Sequence, residues 1–207
     1  IWGASGHAIV VADILRLMGE YEIIGYLDNV NPERRGEMFH RSQILGGDEQ
    51  LEPLLAQGVR HIIMGFGNCD ARLSLAKRIK SLGFELAIAI HPSAIIASDV
   101  TINPGTVVAA GAVINSGCQV GENVIINTSS SIDHECVIED DAHISPGVHL
   151  AGKVTIGRAT WVGIGSSVID HISIGSGTII GAGSVVVRDI PDRVVAFGNP
   201  AKVRKQR

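Results

Sequence analysis

The chain has 207 residues, 45% of them hydrophobic, and a formal net charge of −4. That is enough apolar material for one large domain or two small ones, and it excludes a disordered chain. The acidic balance speaks against nucleic acid or an anionic membrane as partner, and no apolar run approaches the roughly 20 residues of a membrane span.

In chain order, "IWGASGH" is expected to be the end of a first strand whose earlier residues are missing. "AIVVADILRLM" has the 3.6-residue period of a helix, "YEIIGYLD" and "VRHIIMGFG" are strand-like, "DARLSLAKRIKSLG" is helical and "FELAIAI" is a further strand. This alternation predicts a small parallel α/β domain, Rossmann-like, over residues 1–87. From Ile90 the rhythm changes: every sixth residue as far as Val186 is Ile, Val or Leu. The fourth residue after each is small or apolar, as at Ala112, Cys118, Ser130 and Cys136. A fixed six-residue period is the mark of a parallel β-helix with 18 residues per turn, predicted over 88–207 with a C-terminal tail.

That register sorts the reactive residues. Cys118 and Cys136 lie one turn apart and stack inside as core fillers, and with Cys69 they form neither a disulfide framework nor a close ligand pair. A reducing, cytoplasmic location and no metal are expected. Trp161 and His143 neighbour inward residues and so point outward. Trp161 is expected to be an oligomer contact. His134 falls near a corner, and one turn further on stands Gly152, so open space for a ligand is expected there. In the first domain, "GASGH" opens a helix whose free N–H groups suit a phosphate, while its departure from GxGxxG disfavours NAD. Asp28 ends a strand, where it either contacts a ribose or base or caps the "DN" turn. Gly65, Gly67 and Asn68 form a second loop on the same carboxyl edge, where open α/β sheets bind ligands.

The hexapeptide array, "NTSSSIDHECVI", "AHISPGVHLAG", "GAGSVVVRDIP", "GNPAK" and the front "GASGH", "GYLDN" and "GFGN" together resemble bacterial sugar acetyltransferases of the hexapeptide superfamily. That group includes N-acetyltransferases of nucleotide-linked amino sugars and proteins labelled sialic acid O-acetyltransferases. The resemblance implies a left-handed β-helix and acetyl-CoA as cosubstrate. It implies His134 as general base, oriented by Glu135, with Asp133 the alternative carboxylate. It also implies His143 near the thioester, its backbone or ring N–H facing the developing oxyanion, and Gly152, Ile164 and Ala182 along the pantetheine arm. The nucleotide sugar is expected on Gly3, Ser5, Gly6, His7, Asp28, Asn29, Gly65 and Asn68, and a homotrimer follows from the resemblance and the outward apolar positions. The expected reaction is N-acetylation of a UDP-4-amino-4,6-dideoxy sugar, with O-acetylation of sialic acid or a related sugar hydroxyl as the alternative. A serine or maltose-type acetyltransferase is disfavoured by the α/β front. A metal site of the γ-carbonic-anhydrase kind is disfavoured by the spacing of His134, His143 and His149.

Overall fold

The computed structural model describes residues 1–207. Its first domain is a parallel sheet with Trp2 at the centre, bridged to Leu27 on one side and to Met64 on the other. Tyr26–Leu27 pairs with Ser42–Gly46, and His61–Ile62 pairs with Glu85–Leu86, both in parallel. Strand order across the sheet therefore reverses beside Trp2. The loops that follow Trp2 and Met64 flank that switch point, the place where doubly wound sheets hold ligands. Helix α1 (Gly6–Met18) buries Ala8, Val11, Ala12, Ile14 and Leu15, and ends on Gly19 at φ 70°, whose N–H donates to Leu15 O. Two elements are not apparent in the sequence: the hairpin of Met38–Phe39 with Ser42–Gly46, and the short helix α2 (Leu51–Ala56). Neither has a periodic apolar pattern, and α2 carries Pro53 in its first turn, where proline's missing N–H costs nothing. Only Tyr26–Leu27 of the expected strand "YEIIGYLD" is ladder-paired.

Helix α3 (Cys69–Ser81) is capped by Asn68, whose side chain accepts from Ala71 N. Its buried stripe is Cys69, Arg72, Ala76 and Ile79, with a cation where an apolar residue is expected. The first sheet ends at Leu86 and the first rung of the second half begins at Ala89.

That second half is a left-handed parallel β-helix, built of two-residue strands six residues apart, each pairing with the strand 18 residues on, as in the series Ile125, His143, Trp161 and Ile179. Three faces result. The first begins at Ile95–Ile96, the second at Thr101–Ile102, and the third at Ala89–Ile90. Val194–Gly198 continues the third face upward, and Ala201–Gln206 folds back on it antiparallel. Inside, the periodic aliphatics form one continuous core with Cys118 and Cys136. Buried hydroxyls are satisfied by backbone: Thr106 donates to Gly121 O and Ser130 to Asn127 O. At corner after corner the third residue past the aliphatic has positive φ, including Gly117, Asn123, Ser129, Glu135, Asp141, Lys153 and Ala159. Left-handed backbone is thus the corner's own geometry.

The two halves share a core, in which Val11, Ile14 and Leu15 of α1 pack on Ala89, Val107, Ala109 and Ile125 of the third face. Arg72 reinforces the joint: its guanidinium donates to Gly67 O, Asp141 O and Ala142 O and is fully buried. No helix is long and apolar enough to cross a membrane.

Candidate active site

His134 stands on the corner between the first and second faces, after Ser131–Ile132 and before Val137–Ile138. Strict strand alternation would send Glu135 away from it. The corner prevents that, because Glu135 has φ 58° and its carboxylate swings back to the imidazole. With the proton on Nδ1, His134 donates to Glu135 Oε2 at 3.0 Å, which leaves Nε2 as a free lone pair. The Glu135 carboxyl is held below its ordinary range, first by this hydrogen bond, while Lys153 Nζ stands 3.7 Å away. Asp133 braces the corner instead, with its Oδ1 accepting from His134 N at 2.8 Å and from Asn115 Nδ2 at 2.9 Å.

The open space expected above His134 is corrected by the structure. The imidazole itself lies against Gly152, where an added Cβ would stand 2.5 Å from both Cε1 and Nε2. Glycine here makes room for the ring. The Gly152 N–H makes no hydrogen bond within the chain, so a free donor stands beside a free acceptor.

His143 lies elsewhere, on the third face beneath the first domain. It points out of the prism but is buried at 7% exposure, because the Gly67 loop covers it and Trp161 stacks on it at 5.3 Å and 8°. Both N–H groups expected to face an oxyanion are occupied: the backbone N–H donates to Thr160 O, and ring Nδ1–H donates to Gly67 O at 3.2 Å. Nε2 then accepts from Asn127 Nδ2 at 3.4 Å. Burial, with the Arg72 charge nearby, lowers the His143 pKa to about 3 and that of His7 to about 4. Both rings are neutral, 6.4 Å apart, and His7 Nε2 is buried without a partner.

A cleft of about 450 Å³ runs upward from His143 past Trp161 to Ile164, Gly181 and Ala182, with Asn127 at its foot. Ile164 and Ala182 therefore share one cleft with His143, whereas Gly152 belongs to the His134 corner. The two groups lie at different corners of one prism: Ile164 and Ala182 on the corner from the third face to the first, His134 and Gly152 on the corner from the first face to the second, away from the third. A larger groove of about 570 Å³ beneath α3 mixes Asp70 and Asp140 with Arg158 and Arg193 and contains none of these residues.

In the first domain, Gly3 and Gly65 meet where their two loops cross: a Cβ on Gly3 would touch Gly65 O at 3.2 Å, and one on Gly65 would strike Ala8 at 2.7 Å. Ser5 precedes α1 with its hydroxyl making no cap bond, and Gly6 opens the helix into free space. Asp28 accepts from Val30 N and from Asn31 Nδ2, the turn-capping alternative, and Asn29 accepts from Asp48 N. Arg34 lies across this loop, donating to Ala4 O. Sequence reasoning missed Arg34, Arg72 and Asn127, and nothing in the spacing of Arg34 or Asn127 singles them out. Only Arg72 leaves a signal, as a cation on an apolar helical stripe. No cluster of three or more potential metal ligands occurs anywhere in the chain.

A hexapeptide prism with an imidazole held against a carboxylate at an open corner, joined to a doubly wound domain, defines a class of group-transfer proteins. Residues 1–79 match the PglD N-terminal domain and residues 153–188 match the bacterial transferase hexapeptide (six repeats). The chain is 37% identical to PerB from Caulobacter crescentus, solved in complex with CoA and GDP-perosamine, with a TM-score of 0.93 over 98% of this chain and 95% of that one. It is 35% identical to the acetyltransferase domain of PglB from Neisseria gonorrhoeae in complex with acetyl coenzyme A, with a TM-score of 0.91 over 98% and 97%. A Saccharomyces cerevisiae protein described as an acetyltransferase is 44% identical over 57 residues, which span only 28% of this chain and 29% of that protein. The chain belongs to the left-handed β-helix family of sugar N-acetyltransferases that these solved structures represent.

Proposed function

We propose that this protein transfers an acetyl group from acetyl-CoA to the amino group of a nucleotide-linked sugar, with His134 as general base. The observation that carries the assignment is the His134–Glu135 contact at 3.0 Å beside the unpartnered Gly152 N–H. The sugar's amine attacks the thioester carbonyl carbon and Nε2 takes the proton that the nitrogen sheds. The Gly152 N–H meets the oxyanion, a contact worth about 3 kcal/mol in such sites. Collapse breaks the C–S bond, and the imidazolium returns its proton to the departing thiolate. Glu135 holds the ring on one tautomer and stabilises its charged form.

The acceptor is proposed as a UDP-4-amino-4,6-dideoxy sugar, on the sequence resemblance. GDP-perosamine, bound by the C. crescentus relative, is the competing acceptor, and the bound amino sugar there favours an amine over a sialic acid hydroxyl. The assembly is proposed as a homotrimer. Base and nucleotide-sugar domain lie on opposite sides of one prism, so a second copy must bring its His134 corner to the first copy's third face, and closed cyclic symmetry lets every copy do so.

The test is steady-state kinetics over a panel of UDP-, GDP-, CMP- and dTDP-linked amino sugars with wild type, His134→Ala and Glu135→Gln. His134→Ala is expected to lower kcat by about 10²–10⁴ with acetyl-CoA binding intact, and Glu135→Gln to lower it less. Wild-type activity in His134→Ala would remove the base assignment. No turnover of any amino sugar by wild type would remove the acceptor class.

A further inference from the structure

Two fully buried thiols line the inside of the corner that carries His134. Cys118 Sγ donates to Asp133 O at 2.9 Å and Cys136 Sγ to Ala151 O at 3.2 Å, each reaching a carbonyl 15 residues further on. Those carbonyls belong to the peptides that lead into His134 and Gly152. Neither accepts a backbone N–H, so the thiol is its donor within the chain. The same inward column holds Val100 on the turn below and Val154 on the turn above. The matching carbonyls there, Asn115 O and Ile169 O, accept no backbone N–H either. The fold therefore stands without a donor at this place, and the column supplies one only on the two turns that carry the base and the free N–H.

The Ala151–Gly152 peptide is trans, so its C=O and N–H point in opposite directions. A carbonyl drawn inward onto Cys136 aims the Gly152 N–H outward, to the open side of the corner where the His134 ring lies against Gly152. The thiol keeps its proton, because the Cys118 sulfur beside it and burial push its pKa up. Of its two neighbours the carbonyl is the better acceptor, since sulfur accepts weakly. A hydrogen bond accepted at the oxygen also polarises the N–H of the same amide. We propose that Cys136 is a positioning residue for acetyl transfer, its thiol holding the Ala151–Gly152 peptide with the carbonyl inward and the N–H fixed toward the oxyanion. Cooperative strengthening of about 10–30% per bond, acting on a donor that typically contributes about 10²–10³ in kcat, amounts to a factor of about 2 to 8.

This proposal rests on the acetyl-transfer reading above, in which the Gly152 N–H meets the oxyanion, and the experiment separates the two. Steady-state kinetics with acetyl-CoA and the amino sugar that wild type turns over best in the panel above, together with melting curves, are measured for wild type, Cys136→Val, Cys136→Ser and Thr106→Val. Valine suits this column, as Val100 and Val154 show, and has no donor. Serine keeps one, and Ser166 makes the same 15-residue bond, to Gly181 O at 3.1 Å. Cys136→Val is expected to lower kcat about 2- to 8-fold with both KM values and the melting temperature unchanged. Cys136→Ser should melt lower, because it buries a hydroxyl, yet recover most of the wild-type kcat. Thr106→Val removes the matching bond to Gly121 O at a different corner and should leave kcat alone. Wild-type kcat in Cys136→Val overturns the proposal, as does a serine variant no more active than the valine one, or a loss of kcat that tracks melting temperature across the set. Wild type that transfers no acetyl group would instead remove the reading on which the role of Cys136 rests.

Discussion

Mild acid should loosen the joint between the two domains, because His7 and His143 are buried neutral around the unpaired cation Arg72. Their pKa values are lowered to about 4 and about 3, chiefly by burial, against about 6.5 for an unfolded chain. Between those limits the unfolded state binds more protons than the folded one, so stability is full above the unfolded value and falls as pH drops. At about pH 5 each ring has lost about 1.5 units of linkage, about 2 kcal/mol apiece. Asp141, raised by burial, works in the opposite sense, so a variant must be compared with wild type rather than read alone. Urea unfolding at fixed protomer concentration, from about pH 7.5 to about pH 5, is expected to show a total loss of stability about 2 kcal/mol smaller in His143→Gln than in wild type, nearly all of it below about pH 6.5. Equal losses would mean that His143 is hydrated or protonated in the native protein, and the buried-neutral account would fail.

The β-helix is legible in the sequence because a six-residue period repeated from Ile90 to Val186 overrides local ambiguity: each rung repeats the same inward demand. Faces of single residues follow from it, including the outward His143 and Trp161 and the stacked Cys118 and Cys136. What stays hidden depends on conformations that alternation cannot express. Glu135 meets His134 only through a left-handed corner, and because Ser129, Asp141 and Lys153 adopt the same φ, that strain marks the fold and not the chemistry. The burial of His143 comes from a loop 76 residues away in sequence. Arg72 falls on the apolar stripe of α3, which marks the position as inward, but its carbonyl partners Gly67, Asp141 and Ala142 come together only when α3 docks.

Two further substitutions test the site locally. Gly152→Ala has a tolerated φ but forces the His134 ring aside; the ring is half exposed, so melting should barely move while kcat falls by about 10², the typical cost of a 1 Å misplacement. Arg72→Met removes the hydrogen bonds to Gly67, Asp141 and Ala142 and should cost about 3 kcal/mol, with a larger rise in the nucleotide-sugar KM than in that for acetyl-CoA. The last prediction concerns whether one chain contains a complete site. His134→Ala removes the base from the corner between the first and second faces, and Asn127→Ala removes the amide at the foot of the third-face cleft. If each site joins one copy's corner to another copy's third face, refolding the two variants together at equal ratio lets a site draw an intact corner from one and an intact cleft from the other. Random assembly gives about a quarter of sites with both halves intact, so two preparations with little activity alone should together recover about a quarter of the wild-type rate. A site confined to one chain would leave every site defective at whatever ratio the variants are mixed, and a rate equal to the average of the separate preparations would refute the shared site.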